Sequence, residues 1–160
     1  LVNVFFKHVC GFQRISIFAS PERSTYAKRL NSVAVRLCER HLKKEGSLLI
    51  FPSGEVSTLS WKTLQQEERP WRTTVAFLAR KTSATVLPVF IEGSNSLLFQ
   101  LVFSINPRLA NLLLPREVIR ARRYSLRLKI GEVLSSETFG RYKTDEELTD
   151  FFRKKVYSLR

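Results

Sequence analysis

Short apolar runs rich in Val, Ile and Phe alternate with segments of helical period along this chain, and this alternation limits the folds it can adopt. The runs that we predict to be strands are residues 2–6, 15–18, 47–51 and 85–91. Between the last two runs lie a polar loop and a predicted helix that begins near Trp71, with Val75, Leu78 and Ala79 on one face. Strand, loop, helix and strand in this order indicate a parallel crossover. The pattern predicts an α/β fold with a mostly parallel sheet flanked by helices.

Two longer helices are predicted from their capping residues. Ser20 followed by Pro21 would begin the first helix, and Gly46 would stop it. Its apolar stripe would contain Tyr26, Leu30, Val33, Leu37 and Cys38. Thr144 and Glu147 have the spacing of a capping box, which predicts a terminal helix with a buried stripe of Leu148, Phe151, Phe152, Val156 and Leu159. Residues 125–130 alternate polar and apolar, as in a strand with one buried face. We interpret residues 1–160 as a single domain.

The chain carries 27 Lys and Arg residues against 14 Asp and Glu residues, and its formal charge is +13. This charge predicts attraction to an anionic membrane surface, to nucleic acid, or to acidic or phosphorylated substrates. A nucleic-acid partner is disfavoured, because the chain has no RNP-like aromatic strand, zinc-finger spacing or glycine-x-x-glycine clamp. Cys10 and Cys38 lack metal-ligand spacing, so we expect reduced thiols in an intracellular protein and no metal site.

Residues 97–114 carry a single charge, Arg108, and precede a cluster of arginines. Gln100, Asn106, Pro107 and Asn111 interrupt this stretch, so we predict a pair of short helices rather than a membrane span. Apolar residues beside cations are typical of a segment that lies at a membrane interface. A buried helical pair beside a solvated basic face is the alternative.

The densest group of small and polar residues follows the run at residues 47–51. Pro52 fixes a turn, Gly54 permits close backbone approach, Ser53 and Ser57 offer hydroxyl groups, and Glu55 offers a carboxylate. Ligands bind at the carboxyl ends of strands in open α/β sheets, so these residues are candidates for a binding site. An ordinary turn with a solvated glutamate is the alternative.

These residues resemble a known family. Phe51-Pro52-Ser53-Gly54-Glu55-Val56-Ser57 is similar to the third motif of the phospholipid/glycerol acyltransferases, commonly Phe-Pro-Glu-Gly-Thr-Arg-Ser, and is closer to the Phe-Pro-Ala-Gly-Glu-Val-Ser form of the hemolysin and ornithine-lipid branch. Arg69-Pro70-Trp71-Arg72 and residues 86–96 resemble the helix and fourth motif that follow in this family. The resemblance implies a glycerol-phosphate-acyltransferase-like fold, of which residues 1–160 would be the C-terminal portion.

The resemblance also implies a function. Such enzymes move a fatty acyl group from acyl-CoA or acyl carrier protein, as co-substrate, to a hydroxyl or amine of a lysolipid or lipid precursor. No further cofactor is implied, and the expected location is cytoplasmic, peripheral on the inner face of the membrane. The implied substrate-binding residues are Phe51, Pro52, Ser53, Gly54, Glu55, Ser57, Trp71 and Arg72.

The family's proton chemistry depends on a His-x4-Asp pair, which this chain does not contain. Neither His8 nor His41 has an aspartate at that spacing, so we expect structural roles for both and place the catalytic pair before Leu1. Val56 and Ser53 replace the motif's arginine and glutamate, which argues against recognition of glycerol phosphate at this loop. Glu55 would instead favour a neutral or amine-bearing acceptor. A non-catalytic relative that binds lipid or a protein partner is the alternative.

Overall fold

The computed structural model describes residues 2–3, 16–20, 24–54, 58–59, 66–67, 70–93, 96–106, 109–110, 112–121, 125 and 127–160. The strands of this part of the chain are β1 (Val2–Asn3), β2 (Phe18–Ala19), β3 (Thr58–Leu59), β4 (Gln66–Glu67), β5 (Val89–Glu92) and β6 (Arg127–Ile130). The helices are α1 (Thr25–Lys43), α2 (Thr74–Thr82), α3 (Leu97–Ile105), α4 (Leu114–Ala121), a 3₁₀ helix (Ser136–Arg141) and α5 (Asp145–Tyr157). None of the helices in these ranges is long and apolar enough to cross a bilayer.

The described strands form three separate pairs. β1 pairs with β2 in parallel, β3 pairs with β4 antiparallel, and β5 pairs with β6 antiparallel. Pro88 has no N–H to donate, and it lies between β5 and an isolated bridge that joins Val86 to Leu134. One parallel pair is observed, and the mostly parallel sheet as a whole stays a prediction.

The structure corrects two predictions of buried strands. Residues 47–51 form no regular strand, and the side chains of Leu49 and Phe51 are 67% and 56% exposed. All four residues of β6 are exposed, so the predicted buried face of residues 125–130 is wrong for this strand. An apolar run is buried only where a second layer covers it. Within the described ranges, no layer covers these side chains.

Helix α1 begins four residues later than the sequence suggests. Ser24, rather than Ser20, is its N-cap, and the Ser24 hydroxyl accepts the N–H of Ala27 at 3.1 Å. Ser20 instead exchanges two hydrogen bonds with the Asn31 side chain, at 2.8 and 2.9 Å, which fixes the chain after β2 against α1. Asn31 therefore ties the helix to the neighbouring strand.

The buried face of α1 also differs from the predicted stripe. Cys38 is buried as expected, but the other buried residues are the small Ala27 and Ala34, whereas Tyr26, Val33 and Leu37 are exposed. Small side chains allow α2 and β2 to approach the helix closely. The larger apolar side chains lie on the adjacent face.

The C-terminal end of α1 is closed by a Schellman motif. The N–H of Gly46 donates to the carbonyl of His41 at 3.0 Å, and the N–H of Glu45 donates to that of Leu42 at 2.9 Å. Glu45 takes the left-handed conformation, with φ of 60°, so the predicted stop at Gly46 is displaced by one residue.

The hydrophobic core lies between α2, the 3₁₀ helix and α5. It consists of Ala76, Ala79, Leu134, Phe139, Leu148 and Phe152. The predicted capping box of Thr144 and Glu147 is confirmed. Arg80 links α2 to the start of α5 by hydrogen bonds, because its Nη2 donates to the carbonyls of Tyr142 and Thr144 at 2.6 and 2.9 Å.

Candidate acyl-transfer site

We call the described part of the motif-like segment, residues 51–54, the motif loop. This loop turns tightly at Pro52 and Ser53. The N–H of Gly54 donates to the carbonyl of Phe51 at 3.0 Å, and Gly54 has φ of 67°, a conformation that side chains disfavour. The sequence prediction that Pro52 and Gly54 shape a turn is confirmed.

The structure brings the two predicted site segments together through their backbones. The N–H of Arg72 donates to the carbonyl of Pro52 at 3.0 Å. A β-carbon built on Gly54 would lie 3.8 Å from Nε of Arg72, so the guanidinium end of this side chain passes beside the loop. Two motif segments that are separate in sequence therefore form one edge.

Arg72 has the chemistry of an anion-binding group at this edge. Its side chain is exposed, and among the described residues we find no ion pair that neutralises it. A guanidinium presents five N–H donors in a planar arrangement that fits carboxylate and phosphate oxygens. Arg72 can thus receive an anionic group of a ligand that lies against the Pro52–Gly54 turn.

The other predicted site residues differ in exposure. Phe51 is exposed, whereas Ser53 is 7% exposed and engaged in an interaction within the fold. Trp71 is partly buried and packs against the hydrophobic core, which anchors the segment that carries Arg72. Glu55 and Ser57 lie outside the described residues, so their predicted roles stay predictions. The sequence did not indicate the carbonyl of Pro52, because a backbone acceptor leaves no signature in residue type.

The structural role expected for His41 is confirmed. Its Nε2 donates to the carbonyl of Ser47 at 2.9 Å. The ring also packs against Gly46, because a β-carbon added to Gly46 would lie only 2.7 Å from Cδ2 of His41. His41 thus stabilises the end of α1. His8 lies outside the described residues.

No metal-binding group emerges from the part of the chain that is described, where no three His, Cys, Asp or Glu side chains are placed to hold an ion. Cys38 is a free thiol in the interior, and its burial raises its pKa. A buried thiol with a raised pKa is a poor nucleophile near neutral pH. Among the described residues of the loop and its edge, the groups placed to bind a ligand are backbone groups and the guanidinium of Arg72.

The chain is similar to the lyso-glycine lipid O-acyltransferase of Phocaeicola vulgatus. The two proteins are 26% identical over 130 residues, which are 78% of this chain and 46% of that relative. The chain thus spans less than half of the length of the curated relative it matches. No family model and no solved structure matches the chain. That relative is an acyltransferase, which is the class of enzyme that the motif resemblance predicts.

Proposed function

We propose that this protein transfers a fatty acyl group from a thioester donor to a hydroxyl group of a lysolipid. The observation that carries the proposal is the backbone hydrogen bond between Arg72 and Pro52, because it joins two motif segments into one edge, which we propose as the ligand-binding site. Similarity to a lyso-glycine lipid O-acyltransferase supports a lipid acceptor and an oxygen nucleophile.

In the proposed reaction, the acceptor oxygen attacks the thioester carbonyl and forms a tetrahedral oxyanion. The carbon–sulfur bond then breaks, the new ester remains on the lipid, and the thiol leaves with the proton that the acceptor hydroxyl loses. We assign to the residues of this chain the binding and orientation of the two substrates. Orientation of reactants by itself lowers the activation barrier substantially. We do not assign the base to His41, because no aspartate lies at the His-x4-Asp spacing from it. The family resemblance assigns that step to a His-x4-Asp pair.

We assign Arg72 a specific role in substrate binding, which is to hold the phosphate of the thioester donor. Acyl-CoA and acyl carrier protein both carry a phosphate at the end of the pantetheine arm opposite the thioester, and the formal charge of +13 attracts either donor. The exposed guanidinium beside Gly54 is placed to hold that anionic group. We propose that Trp71 supports Arg72 from the core and that Phe51, which is exposed, contacts the acyl chain.

The acceptor is proposed to lack a glycerol phosphate group. Val56 and Ser53 stand where the common motif of the resembled family has arginine and glutamate, so the motif's own cation is absent, and we assign the neighbouring Arg72 to the donor rather than to the acceptor. The name of the Phocaeicola vulgatus relative specifies a lyso-glycine lipid as its acceptor. We therefore propose an acceptor of that kind for this protein.

The proposal is tested by acyl transfer with the full-length protein. The donors are acyl-CoA and acyl carrier protein thioesters, the acceptors are a lyso-glycine lipid and glycerol 3-phosphate, and mass spectrometry detects the products. We expect ester formation on the lysolipid and none on glycerol 3-phosphate. Binding of the lysolipid without consumption of either thioester would show a non-catalytic lipid-binding relative and would refute the proposal.

A variant of Arg72 tests the assigned site. Arg72→Gln keeps the backbone bond to Pro52 but removes the charge, so we expect the KM for the thioester to rise by about 10-fold to 100-fold. Arg36→Gln, which changes an exposed arginine of α1, should leave KM unchanged. Equal kinetic constants for Arg72→Gln and the wild type would remove Arg72 from the site.

A further inference from the structure

A row of large apolar side chains projects into solvent from α3 and the turn that follows it. The row consists of Leu98, Leu101, Ile105, Leu109 and Leu112, which are between 44% and 83% exposed. We call these five residues the apolar row. Soluble monomeric proteins rarely expose so many large apolar residues close together in the sequence, and large exposed apolar patches mark interaction sites.

The apolar row is distinct from the core-facing side of α3. Phe99 is fully buried, Gln100 is buried, and the rings of Phe99 and Phe103 stack at 6.0 Å. Leu98, Leu101 and Ile105 lie at helical spacing on the other face. Helix α3 is therefore apolar on both faces. Within the described residues, only the face that contains Phe99 is buried.

The two ends of this segment are held together by Ser96 and Glu117. The Glu117 carboxylate accepts the N–H of Ser96 at 2.8 Å and its hydroxyl at 2.6 Å. The Ser96 hydroxyl also accepts the N–H of Phe99 at 3.2 Å, as the N-cap of α3. These hydrogen bonds close the chain from Ser96 to Glu117 into a loop, and Ile105 and Leu109 lie near the middle of that loop in sequence.

The exposed charge around the apolar row is positive. Arg116 and Arg120 are 55% and 43% exposed, and each forms an ion pair with Glu117, at 3.5 and 3.8 Å. Glu117 is only 10% exposed and also accepts from Ser96, so the three side chains present a net positive charge to solvent. The sequence from residue 97 to residue 123 contains five arginines and one glutamate. Cations next to exposed apolar side chains complement the headgroups and acyl chains of an anionic bilayer.

We propose that the apolar row, with Arg116 and Arg120, is the surface by which this protein docks on an anionic lipid bilayer. The five apolar side chains enter the boundary between headgroups and acyl chains, and the two arginines contact lipid phosphates. The choice of a lipid surface as partner rests on the proposed function, since the acceptor partitions into membranes. The surface would bring the Pro52–Gly54 turn to its lipid substrate.

The first test is co-sedimentation of the full-length protein with vesicles of mixed phosphatidylcholine and phosphatidylglycerol. The triple variant Leu101→Ser, Ile105→Ser, Leu112→Ser should lower the partition coefficient by about 100-fold, because lipid contact of three apolar side chains is lost. The matched control is Tyr26→Ser, Val33→Ser, Leu37→Ser, which removes three exposed apolar side chains of α1. We expect the control to bind as the wild type does. Wild-type binding by the first variant, or loss of binding only in the control, would overturn the proposal.

The second test separates the charges from the apolar contacts. Arg116→Gln with Arg120→Gln should weaken binding to the mixed vesicles by about tenfold or more and should leave binding to phosphatidylcholine vesicles unchanged. Equal binding of this variant and the wild type to the mixed vesicles would contradict the assigned role of the arginines. A wild-type dimer that dissociates in the triple serine variant, with no vesicle binding by either protein, would show that a second copy covers the apolar row and would overturn the proposal.

Turnover in detergent micelles distinguishes this inference from the proposed function. If both hold, the triple serine variant keeps wild-type turnover in micelles and loses it on vesicles. Vesicle binding through the apolar row by a protein that consumes no thioester would refute the proposed function alone. Normal vesicle turnover by a triple variant whose thermal unfolding matches the wild type would refute the docking surface alone.

Discussion

The N–H of Arg72 donates to the carbonyl oxygen of Pro52 at 3.0 Å, and this bond holds the motif loop beside the segment that leads into α2. Because the bond uses only backbone atoms, a substitution at Arg72 alters the charge at the site without releasing the loop. The side chain and the scaffold can thus be tested independently.

Gly54→Ala tests the conformation of the motif loop. Gly54 has φ of 67°, and an alanine there should lower the free energy of unfolding by about 1–2 kcal/mol. Steric conflict adds little, because the nearest atom, Nε of Arg72, would lie at an ordinary contact distance of 3.8 Å. Gly140→Ala is the control, since its β-carbon would meet no atom within 4 Å. Urea unfolding measures both, and equal stability of the two variants would contradict a strained turn at Gly54.

Glu45→Gly should stabilise the protein. Glu45 holds the left-handed position of the Schellman motif with φ of 60°, where glycine avoids a cost of about 1 kcal/mol. Lys44→Gly should destabilise the protein, because Lys44 has φ of −95° and gains nothing from glycine. Thermal unfolding of the two variants should shift in opposite directions. A lower midpoint for Glu45→Gly would show that the glutamate side chain stabilises this turn.

Glu117 should make stability depend on pH. Burial raises the pKa of Glu117, but hydrogen bonds from Ser96 and the charges of Arg120 and Arg116 outweigh it, so the net pKa is lowered. A carboxyl group whose folded pKa is lowered stabilises the fold above its unfolded pKa, and this contribution is lost as pH falls through the folded pKa.

Glu117→Gln is the corresponding variant. At neutral pH it should cost about 1–2 kcal/mol, and the difference from the wild type should shrink as pH falls below about 4. Denaturant unfolding between about pH 3 and pH 7 measures this difference. A difference that stays constant over this range would mean that Glu117 contributes no charge-dependent stability.

Arg80→Met should weaken the attachment of α2 to α5. The substitution removes the donors for the carbonyls of Tyr142 and Thr144 and the contact of Nε with Asp145 at 3.3 Å. We expect a loss of about 2–3 kcal/mol in the free energy of unfolding. The neighbouring Lys81→Met is the control, because Lys81 is 48% exposed and its partner Glu39 keeps its ion pair with Lys43, so this substitution should matter less. Similar losses for the two variants would contradict the role given to Arg80.

Local signals in the sequence predicted local structure well. The capping box of Thr144 and Glu147 and the turn at Pro52 and Gly54 depend on neighbours within a few residues, and both are confirmed. The stripe of α1 depends on which face α2 covers, and the small Ala27 and Ala34 gave no hydrophobic signal. Residue type likewise does not reveal whether a layer covers Leu49 and Phe51.

The sequence could predict which residues belong to the candidate site, but it could not predict the contacts that hold them together. Motif order pointed to Phe51, Pro52, Gly54 and Arg72, but the backbone bond and the packing of Trp71 on the core depend on the folded chain. The pairing of Ser96 with Glu117 was missed as well, because the two residues are distant in sequence.

The most direct test of the central claim is the stoichiometry of acyl transfer by the full-length protein. Thiol release from the thioester and ester formation on a lyso-glycine lipid are measured in the same reaction, with Arg72→Gln beside the wild type. We expect one ester for each thiol released by the wild type and lower rates of both at limiting thioester for the variant. Thiol release without acylated lipid, or no thiol release under any condition, would contradict it.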